Sequence, residues 1–283
     1  MGQQMGNDFI PEKNQESRPL NMKNIKRYQK KEDAICKIKI NNGSGTGFFC
    51  QIELNNQKMK CLFTNNHVLN ISNIEIGSKI KFLHQNRIKT IEIIKKRFVC
   101  TNKKLDYTCI EIFDDENFDN YFIIDPHINC NNPDEEYKDD KFAILQCPGN
   151  EDVSIAEGRI IEIKKNTTII HSVSTEPGSS GSPIILSTRN LNIIGIHNAS
   201  LKKDIYNRGI FFKPILDDIQ KQYLNSSKYN QWINPDKILE RVNRFYDKYI
   251  KELFNKKEKV KIEEYPKKRE SFSSVCGGKN LKN

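Results

Sequence analysis

Three short strings in the 283-residue sequence combine residue types that can do nucleophilic chemistry. GSSGSP at 178–183 follows Pro177 and runs into the apolar residues 184–186. Glycines beside a serine allow a tight turn that exposes the hydroxyl and aims successive backbone N–H groups at one point, as an oxyanion hole requires. Ser180 is therefore a candidate nucleophile, although a Gly-Ser turn before a strand is more often only a turn. A serine needs a base to activate it, and the base needs an acid to orient it. TNNHVL at 64–69 offers His67, and LDYTCIEI at 105–112 offers Asp106. Taken singly, each has a commoner structural explanation.

Strands must position these groups. Short β-branched segments bounded by Gly, Asn, Asp or Pro are predicted at 34–40, 46–54, 58–64, 88–94, 107–113, 141–147, 153–163, 167–173, 184–187, 193–197 and 210–212. No helical periods alternate with them, so the expectation is an all-β fold of antiparallel barrels or sandwiches rather than βαβ units. The polar, turn-rich stretch 114–140 divides the strands into two sets. Two barrels follow, 33–128 with His67 and Asp106 and 129–224 with Ser180. Beyond Pro214 the period changes, and Ile215, Leu216, Ile219 and Tyr223 predict a short closing helix. Asn234 as N-cap and Pro235 at the first helical position open a longer amphipathic helix whose apolar face runs from Ile238 to Phe254. Residues 1–32 read as a polar, flexible tail and the end of 225–283 as a basic one.

Composition narrows the classes. Hydrophobic residues make up 36% and charged residues 29%, and no apolar run approaches the roughly 18 residues needed to span a bilayer. The first thirty residues contain no apolar core behind a basic start, so the sequence carries no readable secretory signal and is expected to stay inside the cell. Eight cysteines show neither CxxC pairs nor ligand-like spacing with histidine, which predicts reduced, buried thiols and neither a metal nor a cofactor. Of the net charge of +10, residues 1–32 hold +3 and residues 215–283 hold +6. The balanced centre is a weak candidate for nucleic acid, whereas the flanks could touch a membrane surface, RNA or an acidic partner.

In the order His, Asp, Ser, the three strings resemble the trypsin-like serine peptidases of the chymotrypsin fold, and more closely the glutamyl-endopeptidase type. The resemblance covers roughly 33–224. GTGFF at 45–49 is similar to that family's strand before the histidine. ILQCPGN at 144–150 with AEGRI at 156–160 is similar to its second-barrel opening, and RGIFFKPI at 208–215 to its last strand and closing helix. The resemblance implies two antiparallel six-stranded β-barrels with C-terminal helices. It makes His67 the general base, Asp106 its orienting acid and Ser180 the nucleophile, with the Gly178 and Ser180 amides as oxyanion hole. It also places Thr175 and His197 in the primary pocket, where a hydroxyl and an imidazole can bind the Glu or Gln side chain before the cut.

Two departures stand out. Ser179 replaces the aspartate that precedes the nucleophile in secreted trypsins, so activation through a freed N-terminus is not supported, and no cysteine directly follows His67 to form the usual disulfide beside it. GSGTG at 43–47 leads into a strand rather than a helix, which discounts a nucleotide loop. His84, His127 and His171 receive no role. MGQQMG offers Gly2 for myristoylation, with the basic residues 23–31 as a second membrane attraction, although Gly6 stands where Ser or Thr is preferred. PKKR at 266–269 resembles a short nuclear-import signal. The reading is an intracellular serine endopeptidase acting on protein or peptide substrates. Its rivals are a catalytically silent binding module of the same fold and a membrane-surface adaptor.

Overall fold

The computed structural model describes residues 22–40, 43–149, 152–200, 206–226 and 244. The chain divides into two compact units, Met1–Gln231 and Trp232–Asn283. Of the second unit only Arg244, which is helical, is described. Gly2, the rest of the predicted helix at 234–254 and the basic tail lie outside the described residues.

The first strand set forms an eight-stranded sheet from β1 (Ile35–Ile40), β2 (Gly43–Leu54), β3 (Gln57–Thr64), β4 (Lys79–His84), β5 (Arg87–Glu92), β6 (Val99–Asn102), β7 (Tyr107–Glu111) and β8 (Phe122–Ile123). Its ladder runs β5-β4-β1-β2-β3-β7-β6, and β8 pairs with β2. The second set closes into a six-stranded barrel, β10-β11-β14-β13-β12-β9. Its members are β9 (Lys141–Gln146), β10 (Ser154–Lys164), β11 (Thr168–His171), β12 (Pro183–Leu186), β13 (Ile193–Ser200) and β14 (Asn207–Phe211). The all-β, chymotrypsin-type expectation holds, with the first sheet open between β5 and β6.

The strand period of two explains the core. On β2, Phe49 packs against Phe82 and Phe118 inside the first sheet, while Phe48 on the opposite face stacks on Phe63, their ring centroids 5.5 Å apart. Both faces are buried, which is why GFFC reads as a continuous apolar run rather than an alternating one. The Phe48 face joins the second-barrel core, including Phe142, Ile144 and Ile184.

Three helices are described: α1 (Met22–Glu32), α2 (Pro133–Tyr137) and α3 (Phe212–Leu224). The closing helix appears as α3, where Phe212 and Tyr223 lie edge-on to Phe63 and Phe98 of the first set. In contrast to the predicted tail, residues 22–32 form α1. Its Tyr28 is buried, and the phenol donates to Glu157 Oε1 at 2.6 Å and lies 2.8 Å from Ser187 Oγ. Lys31 donates to the Tyr121 carbonyl of the first half. A segment of low average hydropathy thus docks through one aromatic anchor and long cationic side chains, which composition averages away. Three strands were not predicted. β4, with the burial pattern exposed, buried, exposed, buried, is masked by Lys79 and Lys81. β6 and β8 are too short to show a period.

Candidate active site

His67 lies in the turn after β3, where Val68 and Leu69 both donate to the Asn65 carbonyl. Asp106 ends the turn between β6 and β7 at φ 47°, a left-handed conformation that a short Asp side chain tolerates. The Asn65 amide donates to the Asp106 carbonyl at 2.9 Å and fixes that turn beside the histidine. The Asp106 carboxylate then collects three donors. Oδ1 accepts the His67 backbone N–H at 3.0 Å, and Oδ2 lies 2.8 Å from His67 Nδ1 and accepts Asn198 Nδ2 at 2.5 Å. With its side chain only 16% exposed, it is a carboxylate satisfied by hydrogen bonds. Half-exposed His67 is thereby oriented with Nδ1 toward Asp106, leaving Nε2 toward solvent with no partner among the described residues.

Ser180 sits in the turn before β12. Gly178 has φ 101° and Gly181 φ 90°, and a Cβ at Gly181 would fall 2.2 Å from the Thr46 carbonyl, so only glycine fits this close approach. Thr46 of β2 braces the loop from the first sheet. Its N–H donates to the Ser180 carbonyl at 2.8 Å, and its hydroxyl donates to the Gly178 carbonyl at 2.8 Å and accepts the Cys147 N–H. Ser179 braces it from within. Its hydroxyl donates to the Glu176 carbonyl at 2.6 Å and accepts the Glu176 N–H at 3.1 Å. Among the described residues the Gly178 and Ser180 amides donate to no backbone acceptor. The Ser180 hydroxyl lies 3.4 Å from the Asn198 carbonyl, and no hydrogen bond joins it to His67 here. Asn198 therefore touches both the serine and the aspartate, linking all three predicted positions into one cluster.

Thr175 lies in the loop between β11 and β12, and His197 lies on β13. Thr175 Oγ1 accepts Asn207 Nδ2 at 3.1 Å. His197, 2% exposed, has Nδ1 3.3 Å from Nε2 of His171, itself fully buried. Burial, then the nearby His67 charge, pushes the His197 pKa down to about 4, and burial beside His197 pushes His171 well below the usual range. Both rings are neutral at physiological pH. His171 Nδ1 has no partner among the described residues. His84, by contrast, is a structural histidine whose Nε2 meets the Asp33 carbonyl.

Sequence reasoning missed Thr46, His171 and Asn198. Asn198 adjoins His197 in GIHNAS, but its reach to Asp106 depends on a register shift between His197 and Ala199. Thr46 lies inside GTGFF, and His171 became relevant only through the pairing of β11 with β14.

A Ser turn on one barrel facing a His–Asp pair on the other is the arrangement of the chymotrypsin fold. Residues 45–196, more than half of the sequence, match the trypsin-like peptidase domain, and the chain belongs to that family. Among solved structures, it is similar to an inactive mutant form of Rv3671c from M. tuberculosis, at 16% identity and TM-score 0.51, covering 69% of this chain and 89% of that one. It is similar also to the serine endoprotease from Yersinia pestis, at 15% identity and TM-score 0.52, covering 72% and 68%. At such identities the likeness shows the fold alone. No curated protein matches the chain.

Proposed function

We propose that this chain is a serine endopeptidase whose nucleophile is Ser180. The observation that carries the reading is the Asp106–His67 pair at 2.8 Å, linked through Asn198 to the Ser180 turn. In the proposed reaction His67 Nε2 takes the Ser180 proton as Oγ bonds to the scissile carbonyl carbon, and the resulting oxyanion is met by the Gly178 and Ser180 amides. Asp106 stabilises the imidazolium. His67 then returns the proton to the leaving amine as the C–N bond breaks, and water, deprotonated by His67, hydrolyses the acyl-enzyme and regenerates Ser180. The missing Ser180–His67 bond is compatible with this, since such bonds often tighten only when substrate binds.

The pocket reading goes further for Thr175 and His197. If His197 Nδ1 were the donor, His171 Nδ1 would carry a buried N–H with no acceptor, a costly state. The cheaper tautomer has His171 donating to His197, which leaves a proton on His197 Nε2. A neutral donor of this kind matches the carbonyl of a glutamine side chain and leaves a buried glutamate charge uncompensated, so Gln is favoured over Glu before the cut. The seven described cysteines are free thiols, six of them buried, which supports work in a reducing compartment. A fluorophosphonate probe with peptide mapping tests the reading: labelling confined to Ser180 supports a peptidase, and absence of labelling in folded protein overturns it.

A further inference from the structure

Asn198 stands between two groups of opposite hydrogen-bonding character. Its Nδ2 donates to Asp106 Oδ2 at 2.5 Å, and its Oδ1 accepts Arg208 Nη2 at 3.2 Å. A guanidinium only donates and a carboxylate only accepts, whereas the two ends of an amide are nearly equal in shape. The amide therefore fits between them one way round. Turned over, it would set an oxygen against the carboxylate and an N–H against the guanidinium, two repulsive contacts in a part-buried place.

Arg208 comes from β14, where it pairs with Ala199 of β13 across the irregularity that frees Asn198 from the ladder. Its own hydrogen bonding is poor for a stabilising residue, because Nε is buried and has no partner among the described residues. An apolar side chain of similar length would fill this position without an unsatisfied donor, so stability alone does not explain a guanidinium here.

We propose that Arg208 is a positioning residue of the active site: by fixing the orientation of the Asn198 amide it holds the Asp106 carboxylate in the rotamer that engages His67. This rests on the reading of His67 and Asp106 as base and orienting acid. The titratable groups facing His67 are Asp106 and His197, and those facing Asn198 are Asp106 and Arg208. Loss of Arg208 lets the Asn198 amide turn and the Asp106 carboxylate swing away from His67, so the imidazolium loses its counter-charge and the ring titrates at lower pH.

The test compares the full chain with Arg208→Met, Arg208→Lys, Asn198→Ala and the Arg208→Met/Asn198→Ala pair. Peptide hydrolysis is followed across pH, and the His67 ring is titrated independently by NMR. Arg208→Met is expected to lower kcat about tenfold at unchanged KM and to move the acid limb and the ring titration down by roughly half a pH unit. Arg208→Lys, which keeps charge and length, should recover most of both effects. The double variant should have a kcat no lower than Asn198→Ala alone. An unchanged titration in folded Arg208→Met, or a double variant whose loss is the product of the two single losses, overturns the proposal. Should the wild-type chain fail to hydrolyse any peptide, the peptidase reading falls, and the NMR titration still decides whether Arg208 acts on the Asp106–His67 pair.

Discussion

At the scale of single residues, Asp106 stands out because three donors converge on one carboxylate. In the proposed mechanism Ser180→Ala and His67→Ala each lower kcat/KM by several orders of magnitude, and the double variant loses little more, because the members act as a unit. Full hydrolysis by purified Ser180→Ala would remove the serine from its role. Asp106→Asn should cost roughly 10⁴ by favouring the wrong imidazole tautomer. The neutral His171–His197 pair makes a sharper claim about substrate. A peptide library should be cut after Gln at least about tenfold faster than after Glu at neutral pH. His197→Ala should erase that preference more than it slows cleavage, and a profile dominated by Arg, Lys or large apolar residues would end the pocket assignment. His67, Asp106 and Ser180 were legible as candidates because each sits in a local string whose residue types suit its proposed role. Asn198, Thr46 and His171 were not, because each acts on a group from another strand or another barrel, and strand register settles which groups meet.

At the scale of elements, the Ser180 turn depends on backbone shapes that side chains oppose. Gly181→Ala places a methyl against the Thr46 carbonyl at a positive φ, and it should destabilise the protein by about 2 kcal/mol or more and abolish hydrolysis. Denaturant melts with paired activity assays check this, and a stable, active Gly181→Ala protein would show that the turn has another shape. Ser179→Ala removes the internal brace at Glu176 and should cost about 1 kcal/mol while lowering kcat more than it raises KM. Eleven predicted strand segments coincide with described strands because β-branched alternation survives in the sequence. α1 did not show, since its amphipathic pattern rests on very few apolar residues in a strongly polar segment, where Tyr28 is the buried anchor.

At the scale of the whole molecule, buried neutral histidines tie stability to pH. The unfolded chain binds a proton on His197 as pH falls through about 6.5, while the folded chain refuses it until about 4, so stability is lost between those values. The loss amounts to roughly 3 kcal/mol for this residue alone, with His171 and His84, both lowered by burial, adding in the same direction. Urea midpoints at pH 7 and pH 4.5 measure it. His197→Gln should flatten the difference, and an unchanged difference would place the acid sensitivity elsewhere. Thr46 carries a further consequence for the order of events in making this protein. The first strand set is synthesised before the second, and the serine loop gains its Thr46 brace only when the two sets pack together. In the proposed mechanism the nascent chain is therefore without hydrolytic competence until its last strands are in place, and separately expressed halves should be inert until mixed.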